Sequence, residues 1–389
     1  MNAMPNYRRI RTDQIDLGAL EQLENILRLP FLRALAIMPD IHQGYGVPIG
    51  SVLATDTNVV IPNAVGVDIG CGMAAVRLGY MASNVTRDDL VALTDRIREV
   101  VPVGFNKRPV PVQDRFMPNS QIFEHTNIVA MYLQNARRQM GTLGGGNHFI
   151  EIQVDEYDYL WAMIHSGSRN LGKQVADGYN KAAKKENDRA YSKVESSWDL
   201  AFLDTRDRLG QAYMADMAYC VEYAKLNRRR MMAEVLAACD DVLPGPVGDV
   251  GVIHDICHNH VALENHLGKN VMVHRKGAAG PFYADTVGII PGSQGTASYI
   301  VMYKDEAPPT ALRTTSHGAG RALGRKAAQK SLDLQEQLKM LEGVVHQVKG
   351  REDLDEAPGA YKDIDEVMAM QSDLCVATTK LKPLAVVKG

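Results

Sequence analysis

The chain has 389 residues, 46% of them hydrophobic and 23% charged, with a formal net charge of −3 at neutral pH. That length allows one large domain or two ordinary ones, with a packed core. The near-balanced charge gives no global signal for a polyanionic partner, so any such partner must be held by a local basic cleft. The longest apolar runs, such as "TNVVIPNAVGV", are broken by Pro and Asn and are too short to span a bilayer. The start, "MNAMPNYRRIRTDQ", is basic but lacks an apolar stretch, so no secretory signal is expected. Five cysteines (Cys71, Cys220, Cys239, Cys257 and Cys375) are an odd number without framework spacing. That pattern points to a reducing cytoplasm rather than a disulfide scaffold.

In chain order, the first 80 or so residues read as short strands bounded by Gly, Pro, Asn or Asp: "ALAIMPDIH", "GSVLAT", "NVVIP" and "AAVRLG". "SNVTRDDLVALTDRIREVV" reads as a helix, acidic early and apolar at helical spacing. Residues from about 102 to 140 read as Pro-rich and then helical. "GTLGGGNHFIEIQVDE" and "YLWAMIHSGSRNLG" read as a hairpin-like strand pair with glycine loops. A long helical region is expected over roughly 173 to 240; its Met and aromatic stripe reads as core, and Arg228, Arg229 and Arg230 as a solvated face. Strands return between about 250 and 320, with the glycine loops "HRKGAAG", "PGSQGTAS" and "SHGAGR". "SLDLQEQLKMLEGVVHQV" and "AYKDIDEVMAMQSDL" read as helices, and the chain ends in "PLAVVKG". No dividing linker is visible, so one α/β unit over 1–389 with a composite site is expected.

The chemistry lies in the glycine loops. "AVGVDIGCGM" sets Asp68 three residues before Cys71, and His148, His165, His258 and His317 each stand at or near a predicted strand end beside small residues. A lone histidine there is usually a satisfied core or surface group; four such loops with an acid and a thiol form a ligand set. Asp, Cys and His together suit Zn, Mn, Fe or Co better than Ca or Mg, and a bridging thiolate holds two metals as in phosphoryl-transfer sites. No CxxC pair or HExxH occurs, so no stock zinc motif applies. The same loops let backbone N–H groups approach an anion, and Arg169, Arg275, Lys276 and Arg321 adjoin them. Ordinary glycine turns are the competing reading, and no P-loop pattern is present.

The ordered motifs "MPDIHQGYGVPIGSV", "VGVDIGCGM", "GTLGGGNHFIE", "HSGSRNLG", "CHNHV", "HRKGA", "IIPGSQGTASY", "SHGAGR", "AYKDID" and "VKG" resemble those of the RtcB RNA ligase family. The resemblance runs from about residue 38 to the C-terminus and is weak over roughly 80–140 and 175–250. It implies mixed sheets around a central metal and nucleotide cleft. It implies two manganese ions per chain on Asp68, Cys71, His148, His165 and His258, with the thiolate bridging. It implies that His317 attacks GTP and becomes guanylylated. Asn147, Ser293, Gly318, Gly320 and Arg321 then resemble phosphate contacts, and Glu151, Ser298, Tyr361 and Lys388 the guanine and ribose pocket. Arg169 and Lys276 are candidate RNA or phosphate contacts.

The implied reaction joins an RNA 2′,3′-cyclic phosphate or 3′-phosphate to a 5′-hydroxyl, in tRNA splicing or RNA repair. The expected partners are RNA, GTP and an archease-type activator, with no membrane. Two other readings stand beside this one. The first is a metal-dependent phosphodiesterase or phosphatase without ligation; the second is a non-catalytic RNA-binding protein. Two details depart from the family pattern: Gly324 stands where a serine is usual, and the 80–140 segment is short.

Overall fold

A computed structural model describes residues 6–8, 15–119, 127–190, 192–266, 268–283 and 286–389. Most of the basic start and residues 120–126 of the Pro-rich stretch therefore lie outside the described residues. The first part of the chain runs β1 (Asn6–Arg8), α1 (Leu17–Leu27), β2 (Leu32–His42), β3 (Ile49–Thr55), β4 (Val59–Val60), β5 (Gly72–Met81) and α2 (Arg87–Val100). Next come α3 (Ile128–Gln139), β6 (Phe149–Val154), β7 (Tyr159–Ser166), α4 (Arg169–Arg189), β8 (Leu203–Asp204) and α5 (Arg208–Val242). Strands β9 (His254–Cys257), β10 (Asn259–His266), β11 (Lys269–Lys276), β12 (Ala278–Ala279), β13 (Val287–Ile290), β14 (Ser298–Tyr303) and β15 (Thr315–Ser316) follow. The chain closes with α6 (Arg325–Ser331), α7 (Leu334–Met340), α8 (Ile364–Ala369) and β16 (Cys375–Lys388).

Two larger sheets frame the site. One has the order β1-β2-β3-β11-β10, the other β13-β14-β16-β6-β7-β5-β9. The expected hairpin is β6–β7, antiparallel, with Phe149 opposite His165. Period-two alternation separates the faces of the seven-stranded sheet. Val76, Leu78, Ile150, Ile152 and Ile164 pack against Leu93 and Ile97 of α2 and Met231 and Val235 of α5. The intervening Met73, Phe149 and Met163 pack with Phe282, Ile289 and Ile300 on the other face. Helix α2 begins at a capping box in which Thr86 and Asp89 satisfy each other's backbone N–H groups.

Three expectations differ from the fold, and the C-terminal segment takes a place that the sequence left unassigned. The first 80 residues also hold α1, whose N-cap Asp16 accepts from the Ala19 N–H at 2.7 Å. The helical region of 173–240 is two helices, α4 and α5, with β8 between them. The "SLDLQEQLKMLEGVVHQV" segment is helical only through α7 and then turns. "PLAVVKG" belongs to β16, a central strand between β14 and β6. A short apolar run buried on both faces carries no alternation, and Pro383 falls where the register to β6 shifts, the position at which a central strand tolerates proline.

Candidate metal and nucleotide site

Asp68 and Cys71 lie in the loop that enters β5, and that loop is propped from beneath. Arg228 of α5 donates from Nη1 to the carbonyls of Gly70 (2.9 Å) and Ser166 (3.0 Å). Its Nε and Nη2 pair with Asp255 at 2.9 and 2.6 Å. At 1% exposure Arg228 is no part of a solvated face: of the three arginines Arg229 is exposed and Arg230 half-buried. Asn259 ties the loop to the five-stranded sheet, donating to the Asp68 carbonyl at 3.0 Å and accepting from the Gly277 N–H at 2.7 Å.

Three strand ends deliver the histidines. His148 precedes β6, His165 lies near the end of β7 and His258 separates β9 from β10. His148 Nδ1 donates to the Leu143 carbonyl (2.9 Å) and His165 Nδ1 to the Asn147 carbonyl (3.2 Å). Those acceptors assign the tautomer, so both rings turn an unprotonated Nε2 inward. His148 Nε2 meets Asp68 Oδ2 at 2.9 Å and Cys71 Sγ at 3.5 Å. His165 Nε2 meets Cys71 Sγ at 3.3 Å and His258 Nε2 at 3.3 Å. The donors form two triads, Asp68–Cys71–His148 and Cys71–His165–His258, each with its ligand atoms within 4.8 Å, and Cys71 is common to both.

A lone pair facing a carboxylate oxygen at that range has no proton to share, so the donor set fits a cation on each side of the sulfur. Burial and neighbouring imidazoles push His165 and His258 well below the ordinary range, toward the neutral ligand form. Burial and the Asp68 carboxylate push the Cys71 thiol up.

His317 follows β15 and lies beside the cluster, its ring centroid 4.9 Å from that of His258. Its Nδ1 donates to Asp40 Oδ2 at 2.6 Å, and its backbone N–H donates to the same oxygen at 3.0 Å. Asp40 is fully buried on β2. It holds His317 in one orientation and one tautomer, with Nε2 left free for chemistry. Gly320 makes this approach possible: its φ is +73°, and a Cβ there would run into the Asp40 carbonyl.

A cavity of about 700 Å³ joins these groups. Its walls include Asn147, Glu151, Ser293, Gly318, Gly320, Arg321, Tyr361 and Lys388. Ser298 is not in the wall: it is fully buried behind it and accepts from Gln153 Nε2 at 3.0 Å. Glu356 gathers the basic residues. It accepts from the Tyr361 hydroxyl, from Lys388 Nζ (3.0 Å) and from Arg321 Nη1 (3.1 Å), and it pairs with Arg325 Nη1 (2.5 Å). Lys388 reaches the cavity because β16 is pinned to β6 with Lys388 opposite Phe149. Burial pushes the Glu151 carboxyl up to about 8, against the nearby charge of Lys388 and a hydrogen bond from Gln153.

The remaining basic candidates separate. Lys276 lines the cavity, where its Nζ donates to the carbonyls of Tyr45 (2.6 Å) and Asn63 (3.0 Å), and burial pulls it down to about 7. Arg169 is not a cavity-wall residue; it donates to Thr142 Oγ1 and the Gly104 carbonyl, both at 3.1 Å, and braces the loop before His148. Arg275 is fully buried and paired with Glu264, so it does not serve as an anion contact at its glycine loop. Asp40 and Glu356 were not singled out from sequence. The only signals were a carboxylate inside an apolar strand run, "ALAIMPDIH", and an acid five residues before Tyr361.

Comparison with known proteins gives a consistent result. The family model described as tRNA-splicing ligase RtcB matches residues 22–389. "RNA-splicing ligase RtcB" of Escherichia coli (strain K12) is 36% identical over 394 residues, covering 96% of this chain and 95% of that protein. "tRNA-splicing ligase RtcB" of Methanococcus maripaludis is 32% identical over 451 residues, with 97% and 92% covered. The protein of the same name from Thermococcus kodakarensis is 31% identical, with 95% and 91% covered.

Proposed function

The chain belongs to the RtcB family, and on that footing we propose that it is an RNA ligase that uses GTP and a manganese pair to seal RNA 3′-phosphate or 2′,3′-cyclic phosphate ends to 5′-hydroxyl ends. The observation that carries the proposal is His317, held by Asp40 through Nδ1 beside two donor triads that share Cys71.

In this reading His317 Nε2 attacks the α-phosphorus of GTP and pyrophosphate leaves. The carboxylate of Asp40 stabilises the positive charge that develops on the ring. The guanylyl group then passes to an RNA 3′-phosphate, which turns a poor leaving group into a good one. The 5′-hydroxyl attacks that phosphorus, the strands join and GMP departs. Asp68, Cys71, His148, His165 and His258 would hold the metal pair, which when bound supplies charge neutralisation on phosphate oxygens. Glu151 and Lys388 both line the cavity and would meet a guanine edge as a carboxyl beside a cation. Asn147 and the backbone of Gly318 and Gly320 line the cavity and would meet phosphate oxygens. No helix among the described residues is long and apolar enough to cross a membrane.

The test is a sealing assay with a 3′-phosphate strand, a 5′-hydroxyl strand, GTP and manganese. A joined product that requires GTP supports the proposal. Loss of the terminal phosphate, or opening of a cyclic end, with no joined product would support the phosphodiesterase reading instead.

A further inference from the structure

A second cleft, of about 480 Å³, opens beside the central cavity and is lined by Tyr45, Asn63, Val67, Asn180, Lys181 and Lys184, among others. Val67 lines both spaces, so they meet at the residue before Asp68. Tyr45 is 53% and Val67 50% exposed, which leaves an aromatic ring and an aliphatic wall open to solvent. Asp199 holds the ring in place: it accepts from the Tyr45 hydroxyl at 3.0 Å and pairs with Lys184, whose Nζ lies 5.9 Å from the ring centroid. Lys181, exposed on α4, has no hydrogen-bond or ion-pair partner among the described residues. The side-chain oxygen of Asn180 is buried and also lacks one.

The lining also holds one carboxylate, Asp177, which is already paired with Lys173; an exposed ring beside two ammonium groups and two amides then has the composition of a single-stranded nucleic-acid subsite. A base stacks on the ring, ammonium groups take phosphates, and amides meet ribose or base edges. Stacking on one aromatic side chain is worth about 1–3 kcal/mol per base.

Position decides which strand belongs there. In the proposed sealing step the 5′-hydroxyl must approach phosphorus in line with the departing GMP, so its strand enters from the side away from the guanine pocket. That pocket rests on β6 and β16 through Glu151 and Lys388. The Asp68 loop leads into β5, and the order β16-β6-β7-β5 sets β5 two strands beyond β6. Two strand spacings are roughly 10 Å. Val67, the residue before Asp68, lines the cleft as well and so joins it to that loop.

We propose that this cleft binds the leading nucleotide of the 5′-hydroxyl RNA strand, with its base on Tyr45 and its backbone on Lys181 and Lys184. The inference rests on the ligase reading for the identity of the strand.

Fluorescence anisotropy with a short 5′-hydroxyl RNA and a matched 3′-phosphate RNA tests it, on the wild type, Lys181→Glu, Tyr45→Ala and Tyr45→Phe. Lys181 is exposed, so its charge reversal leaves the core untouched. Lys181→Glu and Tyr45→Ala should each raise the Kd for the 5′-hydroxyl strand about tenfold at low salt, Lys181→Glu with a shallower salt dependence. Both should change the Kd for the 3′-phosphate strand less than about twofold, and Tyr45→Phe should retain affinity through its ring. Equal weakening of both strands, or of neither, overturns the assignment. Wild-type protein treated with GTP and manganese is weighed in parallel. A missing GMP adduct refutes the ligase reading, while strand-selective weakening would still establish the cleft. An adduct without strand selectivity refutes the cleft alone.

Discussion

At the Asp68 end of the central cavity, five donor side chains converge in two triads that share Cys71. At the Lys388 end, one carboxylate, Glu356, gathers Tyr361, Lys388, Arg321 and Arg325. The first end offers donors that could hold cations. The second is already paired within the protein, so under the proposed function an entering nucleotide would share or displace its internal partners. Substitutions should therefore read out differently at the two ends: through ligand binding at the first, and through the stability of the empty protein at the second.

Cys71→Ser strikes both triads at once and is expected to have the largest effect. Sealing should be lost and bound manganese, measured by elemental analysis, should fall well below that of the wild type. The empty protein should melt close to wild type, while the stabilisation by added manganese disappears. Full manganese content in the variant would remove the shared-sulfur arrangement.

Asp40→Asn retains the shape of the His317 support but offers the wrong partner to Nδ1. The rate of GMP-adduct formation should fall about 10²–10⁴-fold with manganese content unchanged. A near-normal rate would show that Asp40 is only a packing group.

Glu356→Gln tests the self-complete end. Leaving three cations around a neutral amide in a mostly buried site should cost about 3 kcal/mol in the stability of the empty protein, read as a shifted urea midpoint. Manganese affinity should not change. An unchanged midpoint would place Glu356 among weak surface pairs.

Taken per pH unit, the smallest effect is on the pH dependence of stability. Burial raises the Glu151 carboxyl to about 8, above its ordinary value of 4.5. Its contribution is full below the ordinary value and is lost as pH rises toward about 8, at no more than about 1.4 kcal/mol per pH unit. Glu151→Gln should flatten that part of the wild-type decline between about pH 5 and 8. Identical slopes in the two proteins would mean that Glu151 is ionised throughout.

The two ends also differ in how far they can be read from sequence. Asp68, Cys71 and the histidines advertise their chemistry by residue type, and small neighbours in each loop set them apart. A carboxylate's role depends on what it meets. Asp40 meets a histidine 277 positions later, and Glu356 meets groups from three separate segments. Neither pairing has a local signature. Arg228 sits in a run that resembles a solvated face, yet it shares a helical face with Ala224, Met231 and Met232, all buried. That spacing was a usable signal, although Asp255, its ion-pair partner, was not locatable. The strand order of both sheets was equally hidden, because the central strand β16 comes last in the chain and its pairing with β6 spans more than half of it.

The central claim is that His317, oriented by Asp40 at the junction of the two ends, carries the guanylyl group. Intact mass of the wild type after treatment with GTP and manganese tests it most directly. The account predicts one added GMP, lost in acid and retained in base as a phosphoramidate should be, and absent from His317→Ala although that variant still binds manganese. A wild-type protein that binds manganese and GTP yet gains no GMP would contradict it.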